Sequence, residues 1–226
     1  KGATQDEMVD AVLQGLERGR EEFNVPVNLI LCMYRGTPAE SSMELAKLAV
    51  EYKSRGIAGV DFAGDESQYG AHAHKEAFDL VRKNGIPITI HAGEAGSVDN
   101  IREAIKLGAA RIGHGVRLID DEQLMQEVIE KEIPLELCLT SNLQTQAVKS
   151  IDEHPFPIFY EKGVKVTINT DDPRVSNTDI NEEFLLAARE FDFDISDLKQ
   201  ILFNSVEAAF IDSETKERLH KQIKNS

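Results

Sequence analysis

Two adjacent carboxylates, Asp171 and Asp172, follow a short apolar run and stand directly before a proline. The run, residues 165–168, predicts a strand that cannot continue through Pro173, because proline has no backbone N–H to donate to a sheet. Neighbouring like charges repel, so such a pair usually persists where a metal ion, a hydrogen-bonded substrate or a shared proton compensates it. A solvated Asp-Asp turn is the alternative.

His91 and Glu94 lie three residues apart at the end of another apolar run. An imidazole in this position can bind a metal ion while the carboxylate reaches a different atom nearby. A histidine packed in the core would also explain this tetrapeptide if it stood alone. After the next apolar run comes His114 between two glycines, Gly113 and Gly115, which permit a ligand to approach the backbone closely.

A further group of polar residues, Asp61 to Glu66, follows an earlier apolar run. It contains Gly64, whose backbone N–H is accessible to a ligand because no side chain covers it. An acidic surface loop explains this segment equally well when it is taken alone. Because the histidines and acids all follow predicted strands, we expect them to meet at the carboxyl ends of the strands, where barrel enzymes place their sites.

The elements that must position these residues alternate along the chain. Six apolar runs predict strands at 28–34, 57–62, 87–90, 111–112, 134–139 and 164–168. Helical periodicity predicts helices at 6–22, 41–54, 71–83, 98–107, 121–131, 155–162, 181–190, 196–210 and 213–224. Strands this apolar are typical of a parallel sheet covered by helices on both faces. No linker interrupts the pattern, so we predict one domain over residues 1–226.

Two folds share this alternation, an open doubly wound sheet and a closed (β/α)8 barrel. The Gly-x-Gly-x-x-Gly phosphate turn of the first is absent, and polar residues follow nearly every predicted strand, which favours the barrel. A barrel has eight strands, usually in about 250 residues. Six are predicted here, and a helix precedes the first of them. We therefore predict a (β/α)8 TIM-type barrel that is incomplete at its N-terminus.

Composition narrows the classes of partner. The chain has 226 residues, of which 41% are hydrophobic, and a formal net charge of -15. This acidity argues against a nucleic acid or an anionic membrane surface as partner, because both need a basic face. No apolar stretch approaches the roughly 20 residues of a membrane span. We expect a small neutral substrate and a cytoplasmic protein, with Cys32 and Cys138 as buried free thiols.

Five motifs, in this order and at these separations, resemble the adenosine/AMP deaminase family of the metal-dependent hydrolases. They are Asp-Phe-Ala-Gly-Asp-Glu at 61–66, His-Ala-Gly-Glu at 91–94, Gly-His-Gly at 113–115, Thr-Ser-Asn-Leu-Gln-Thr at 140–145 and Asn-Thr-Asp-Asp-Pro at 169–173. The combination is far more specific than any one motif. The resemblance implies a (β/α)8 barrel with one Zn²⁺ ion. It also implies hydrolytic deamination of adenosine, and of 2'-deoxyadenosine, to inosine and ammonia.

Two residues match the family's zinc ligands, His91 and Asp171, and the ion would activate water for attack on C6 of adenine. The family carries two more ligands in a His-x-His pair on its first barrel strand, which this sequence lacks. His72 and His74 are no substitute, because side chains two apart on a predicted helix point about 200° apart. We expect both at a helix end or on the surface. A longer polypeptide would supply the missing pair, and a chain that began at Lys1 would retain zinc poorly.

The resemblance assigns four other residues to the reaction. Glu94 matches the residue that protonates purine N1, which requires a protonated carboxyl when substrate arrives. His114 matches the histidine that orients the attacking hydroxide and stabilises its charge. Asp172 matches the residue that holds the attacking water and purine N7. The N–H of Gly64 would meet purine N3.

Other interpretations stay open at this point. Residues 141–145 resemble adenosine deaminases more than adenine deaminases, and an AMP deaminase would need cationic groups for a phosphate. Another zinc barrel amidohydrolase, acting on a cyclic amide or ester, is a second class. An inactive truncated barrel that serves as a scaffold or binding module is a third. His154 and His220 have no companions in the sequence, and we expect them to be solvated.

Overall fold

A computed structural model describes residues 2–225. Its strands are β1 (Leu29–Tyr34), β2 (Ile57–Ala63), β3 (Thr89–Ala92), β4 (Arg111–His114), β5 (Leu135–Leu137) and β6 (Val166–Ile168). Its helices are α1 (Gln5–Phe23), α2 (Ala39–Tyr52), α3 (Lys75–Lys83), α4 (Val98–Leu107), α5 (Glu122–Glu130), α6 (Leu139–Gln144), α7 (Phe156–Glu161), α8 (Pro173–Ser176), α9 (Ile180–Glu190), α10 (Ile195–Ala208) and α11 (Ser213–Asn225). Each predicted strand and helix is present within a few residues of its predicted position.

All strand pairs are parallel, as the predicted barrel requires. β1 pairs with β2, and β3 to β6 pair in chain order. A single parallel bridge between Val60 and Ile88 joins the two sheets. Within residues 2–225, β1 and β6 form the two free edges. The described part of the chain therefore contains six strands of a (β/α) barrel, in agreement with the prediction.

The strands are buried between the barrel interior and the helices. One apolar residue from each of five strands is fully buried: Val60, Ile90, Ile112, Leu135 and Val166. Helix α4 shows how the surrounding layer forms. Ser97 and Asn100 cap its N-terminus reciprocally, and Ile101, Ala104 and Leu107 follow at helical spacing on the face turned to the sheet. None of the helices that the structure describes has the length and apolar character of a membrane-spanning segment.

Two short helices were not predicted, and both belong to loops that follow strands. Helix α6 begins at Leu139, inside the run that was predicted to be strand, so β5 ends at Leu137. Helix α8 begins at Pro173, and Asp172 caps its N-terminus. Both helices are shorter than the two turns over which an apolar period becomes recognisable. Proline suits the first position of a helix because its missing N–H would have no partner there.

Two predictions about burial were wrong, those for Cys32 and His154. Cys32 is exposed, because it lies on the face of β1 opposite the buried Leu31, and β1 is a free edge among the described strands. His154 is buried and packs on the ring of Phe191. His74 lies at a helix start as predicted but is buried, and its Nδ1 is 2.7 Å from the Ser42 hydroxyl. Burial of these side chains depends on elements distant in sequence.

Candidate active site

The barrel register sets the site residues side by side. His91 of β3 pairs in register with Gly113 of β4, Gly113 with Glu136 of β5, and Glu136 with Thr167 of β6. The histidine therefore occupies one level of the barrel with these neighbours, near the carboxyl ends of the strands. This is the end at which barrel enzymes carry out their chemistry.

The ring of His91 is held by an acid on one side and a glycine on the other. Its Nδ1 lies 3.1 Å from Oδ1 of Asp61 on β2. A Cβ on Gly113 would lie 3.0 Å from the same Nδ1, so only glycine leaves room for the ring. Burial lowers the pKa of His91, but the hydrogen bond and charge of Asp61 outweigh it and raise the pKa to about 9. The acidic surroundings therefore favour the protonated ring near neutral pH, and a metal ion bound at Nε2 would displace that proton.

The loop that carries Glu94 is fixed by a buried acid. The carboxylate of Glu66 accepts hydrogen bonds from three consecutive backbone N–H groups, those of Gly93, Glu94 and Ala95, over 2.5 to 2.8 Å. Such charge-assisted bonds are about twice as strong as neutral ones. Arg35 supports the same region, because its guanidinium donates to the backbone oxygen of His91 over 2.6 Å. The backbone at Glu94 is therefore held by residues of the loops that follow β1 and β2.

His114 lies close to two acids, Glu94 and Asp171, which together with His91 and His114 form an acid–histidine cluster. Its Nε2 is 3.5 Å from Oε2 of Glu94 and 4.0 Å from Oδ2 of Asp171. The rings of His91 and His114 are 5.0 Å apart between centroids, in an edge-to-face arrangement. Burial lowers the pKa of His114, against the opposing effect of Glu94. The structure thus brings these four side chains together, although 80 residues separate the first from the last.

Helix α6 and the residue after it contact three of these four side chains. Ser141 donates to Oδ2 of Asp171 over 2.7 Å. The amide of Asn142 lies 2.9 Å from Nδ1 of His114. Thr145 donates to Oε1 of Glu94 over 3.0 Å. The segment 141–145 therefore fixes the orientation of His114, at the end of β4, and of the two acids in the loops that follow β3 and β6.

Two adjoining cavities open at this end of the barrel and share His91 as a wall. The inner cavity, about 330 Å³, is lined by His91, His114, Cys138 and Asp171 among others. The outer one, about 620 Å³, is lined by residues that include Gly64, Glu94 and Thr145. These sizes fall in the range of small-molecule sites. Residues of the acid–histidine cluster line both cavities.

Several groups near the inner cavity are of the kind that bind metal ions. Within residues 2–225, one nitrogen, sulfur or oxygen each from His114, Cys138 and Asp171 lie within 4.8 Å of one another. The predicted ligand His91 stands outside that group but lines the same cavity. Burial and four nearby carboxylates raise the pKa of Cys138 well above its usual value, so its sulfur is a thiol, a poor metal ligand.

The donor set fits zinc, which takes imidazole nitrogen and carboxylate oxygen in four-coordinate sites. Asp61 engages Nδ1 of His91, which leaves Nε2 for a metal in the carboxylate–histidine–metal pattern. Asp171, held by Ser141 and in a left-handed backbone conformation with φ 57°, faces the same recess. Together the two would supply two of the four donors of a tetrahedral site.

The remaining predicted residues occupy different places. Gly64 has φ 107°, and a Cβ there would lie 3.1 Å from Cβ of Arg35, so both the backbone conformation and the space require glycine. Asp172 is exposed and caps α8, where its Oδ1 accepts from the N–H groups of Arg174 and Val175. Its second oxygen has no such engagement among the described residues. Whether Asp172 contacts a substrate stays a prediction.

Several residues for which the sequence predicts no role contact the cluster or, in the case of His154, contact Asn142 beside it. They are Arg35, Asp61, Glu66, Ser141, Asn142, Thr145 and His154. A signal was present for the polar members of the 140–145 stretch, because this stretch follows a strand like the other motifs. No sequence signal marks Arg35 or His154, whose partners lie far away in the chain.

Comparisons with known proteins agree with this geometry. The model of a family described as adenosine deaminase matches residues 1–226. An adenosine deaminase from Clostridium acetobutylicum is 44% identical over 220 residues, which cover 97% of this chain and 66% of that protein. The chain spans about two thirds of the length of the curated relatives it matches.

Solved structures of the same family superpose closely. An adenine deaminase from Arthrobacter aurescens has a TM-score of 0.93 and 25% identity, covering 99% of this chain and 68% of that one. An Arabidopsis N6-mAMP deaminase has a TM-score of 0.90 and 28% identity, covering 100% of this chain and 69% of that one. The fold described above therefore matches about two thirds of each of these neighbours.

Proposed function

Because the chain belongs to the adenosine deaminase family, we propose that the protein of which it is part hydrolyses adenosine to inosine and ammonia with one zinc ion. Curated relatives that are described as adenosine deaminases are 37% to 44% identical to this chain. The observation that carries the proposal is the convergence of His91, Glu94, His114 and Asp171 between two adjoining cavities.

His91 and Asp171 would hold the zinc ion. When bound, the ion would supply Lewis-acid activation of the attacking water. His91 is suited to this because Asp61 fixes its ring and leaves Nε2 free. Asp171 is suited because Ser141 engages one of its oxygens and leaves the other available. The other two donors would come from the His-x-His pair that the resemblance to the family implies.

Glu94 would transfer a proton to the purine ring. The Thr145 hydroxyl donates to its Oε1, which holds the carboxyl in place at the outer cavity. The same side chain lines the outer cavity together with Gly64, whose backbone N–H would bind the opposite edge of the purine. The Glu66 carboxylate holds the Glu94 loop through three backbone hydrogen bonds, which keeps the proton donor in register with the ligand.

The outer cavity favours a nucleoside over a nucleotide. Its ionisable lining residues are two acids, Asp65 and Glu94, together with Arg117, His91 and Tyr34. A phosphate is usually bound by several cationic or N–H donors. The acids would repel a phosphate, whereas they would not repel a neutral ribose. The acidity of the whole chain, with a net charge of -15, acts in the same direction.

Ammonia release tests the proposal directly. The zinc-loaded full-length protein is assayed with adenosine, 2'-deoxyadenosine, adenine and AMP, and the zinc content of each sample is measured. We expect the highest kcat/KM with adenosine and the lowest with AMP. A protein that holds stoichiometric zinc and releases no ammonia from adenosine would refute the proposal. A preference for adenine would retain the chemistry and change the substrate.

A further inference from the structure

A buried chain of hydrogen bonds runs from the backbone of α7 to the ring of His114. The N–H of Phe156 donates to Nδ1 of His154 over 3.1 Å. Nε2 of His154 lies 3.3 Å from Oδ1 of Asn142, and Nδ2 of Asn142 lies 2.9 Å from Nδ1 of His114. The side chains of Asn142, His114 and His154 belong to residues that are 0%, 2% and 3% exposed. Each polar group in the chain therefore depends on its neighbours for a partner.

The first link fixes the direction of the chain. A backbone N–H can only donate, so Nδ1 of His154 must accept from Phe156 and carries no proton. The proton of the neutral ring is then on Nε2, which donates to Oδ1 of Asn142. Burial lowers the pKa of His154 to about 4, so the ring is neutral near pH 7.

The hydrogen bond between Asn142 and His114 runs in the same donor-to-acceptor direction. With Oδ1 of Asn142 accepting from His154, its Nδ2 faces His114 and can only donate. Nδ1 of His114 must then accept, which places the proton of the neutral ring on Nε2. Rotating the Asn142 amide by 180° would set its Nδ2 against the Nε2–H of His154, two donors facing each other. The backbone of α7 thus excludes the alternative arrangement.

We propose that Asn142 and His154 are positioning residues that hold His114 as its Nε2–H tautomer. His114 then acts at the deaminase site as a hydrogen-bond donor, and it takes no proton at Nε2 from the attacking water. The nitrogen that carries this proton lies near the acids of the cluster, with Oε2 of Glu94 at 3.5 Å and Oδ2 of Asp171 at 4.0 Å. This inference rests on the proposed function for the role of His114, but its tautomer is observable without turnover.

Nitrogen-15 NMR of histidine-labelled protein tests the tautomer. In the wild type, we expect the protonated, pyrrole-type signal at Nε2 of His114 and the unprotonated, pyridine-type signal at its Nδ1. His154 should show the same pattern. A wild-type spectrum with the proton on Nδ1 of His114, or on both nitrogens near pH 7, would overturn the proposal. This measurement needs no variant and no substrate.

The substitution Asn142→Asp tests the relay, because it replaces the donor by an acceptor of the same shape. A carboxylate accepts from His154 at one oxygen and demands a proton on Nδ1 of His114 at the other. We expect the pyrrole-type signal to appear at Nδ1 of His114. The matched control is Asn225→Asp, which makes the same charge change at an exposed position of α11 and should leave the spectrum unchanged. An unchanged His114 spectrum in folded Asn142→Asp would overturn the relay.

Kinetics of the zinc-loaded full-length protein then separate positioning from stability. We expect Asn142→Asp to lower kcat by roughly 10²-fold, with a much smaller change in KM, because the misplaced proton affects the reacting state rather than binding. A changed tautomer with unchanged kcat would overturn the catalytic part of the proposal. The expected wild-type tautomer in a protein that does not deaminate adenosine supports the relay and counts against the proposed function alone.

Discussion

Replacing Asp61 by Asn should remove a pH dependence of stability that the Asp61–His91 pair creates. The pair holds the pKa of His91 at about 9 against an ordinary value of 6.5. At 1.36 kcal/mol per pKa unit, this shift corresponds to about 3 kcal/mol of preference for the protonated ring in the folded state. The Asp61 side chain keeps its shape in Asp61→Asn and loses its charge.

The sign follows from proton linkage. A folded-state pKa above the unfolded value means that the folded protein binds more protons between pH 6.5 and about 9. This contribution is fully present below pH 6.5 and is lost as the pH rises through about 9. In Asp61→Asn, burial still lowers the pKa of His91, but the Asp61 charge that raises it is gone. The ring is then neutral over this pH range, and the variant does not lose folding stability through His91 as the pH rises.

Urea unfolding at pH 6 and at pH 9.5, with a chelator present to remove bound metal, measures the effect. We expect the wild type to lose about 3 kcal/mol more than Asp61→Asn between these two pH values. Asp99→Asn is the matched control, because Asp99 is 81% exposed in its side chain and pairs with Arg102 rather than with His91. Parallel pH profiles for the wild type and Asp61→Asn would refute the reasoning.

Three further predictions concern the site. Glu94→Gln keeps the shape of the side chain but removes the proton that it would donate. It should lower kcat by roughly 10²- to 10⁴-fold while the zinc content stays unchanged. Near wild-type ammonia release by this variant would exclude Glu94 as the proton donor. His91→Ala and Asp171→Ala should each reduce bound zinc, measured by elemental analysis after dialysis, and full zinc occupancy in both would contradict their assignment as ligands. Gly113→Ala places a Cβ 3.0 Å from Nδ1 of His91 and should cost roughly 1–3 kcal/mol of folding stability together with zinc retention. Gly15→Ala in α1, where nothing lies within 4 Å of the added Cβ, should instead leave stability unchanged or raise it by up to about 1 kcal/mol; equal thermal shifts in the two glycine variants would contradict the steric argument.

The architecture of this protein was predictable because local signals agree along the chain. The boundaries of α4 are predicted correctly at both ends, since Ser97 caps its start and Gly108 adopts the left-handed conformation after its end. Polar residues after apolar runs predicted the end of the barrel at which chemistry occurs. In a parallel barrel that placement follows from topology alone, because all carboxyl strand ends point the same way.

The fixed orientations of the site residues were not predictable in the same way. Thr145, Asn142 and Ser141 contact acids and a histidine that are 51, 28 and 30 residues distant in sequence. Helix α6, which carries two of them, is too short for its periodicity to be recognised, so the sequence predicts no helix after the strand at 134–139.

The sequence by itself determined the order of strands and helices, the family, and the residue types that stand at the carboxyl end of the barrel. These depend on period, caps and motifs, which are local properties of the chain. Only the tertiary structure decided that Cys32 is exposed, that His154 is buried, and that a backbone N–H of α7 reaches His114 through Asn142. Burial and hydrogen-bond direction depend on which distant groups are packed together, and no local pattern records that.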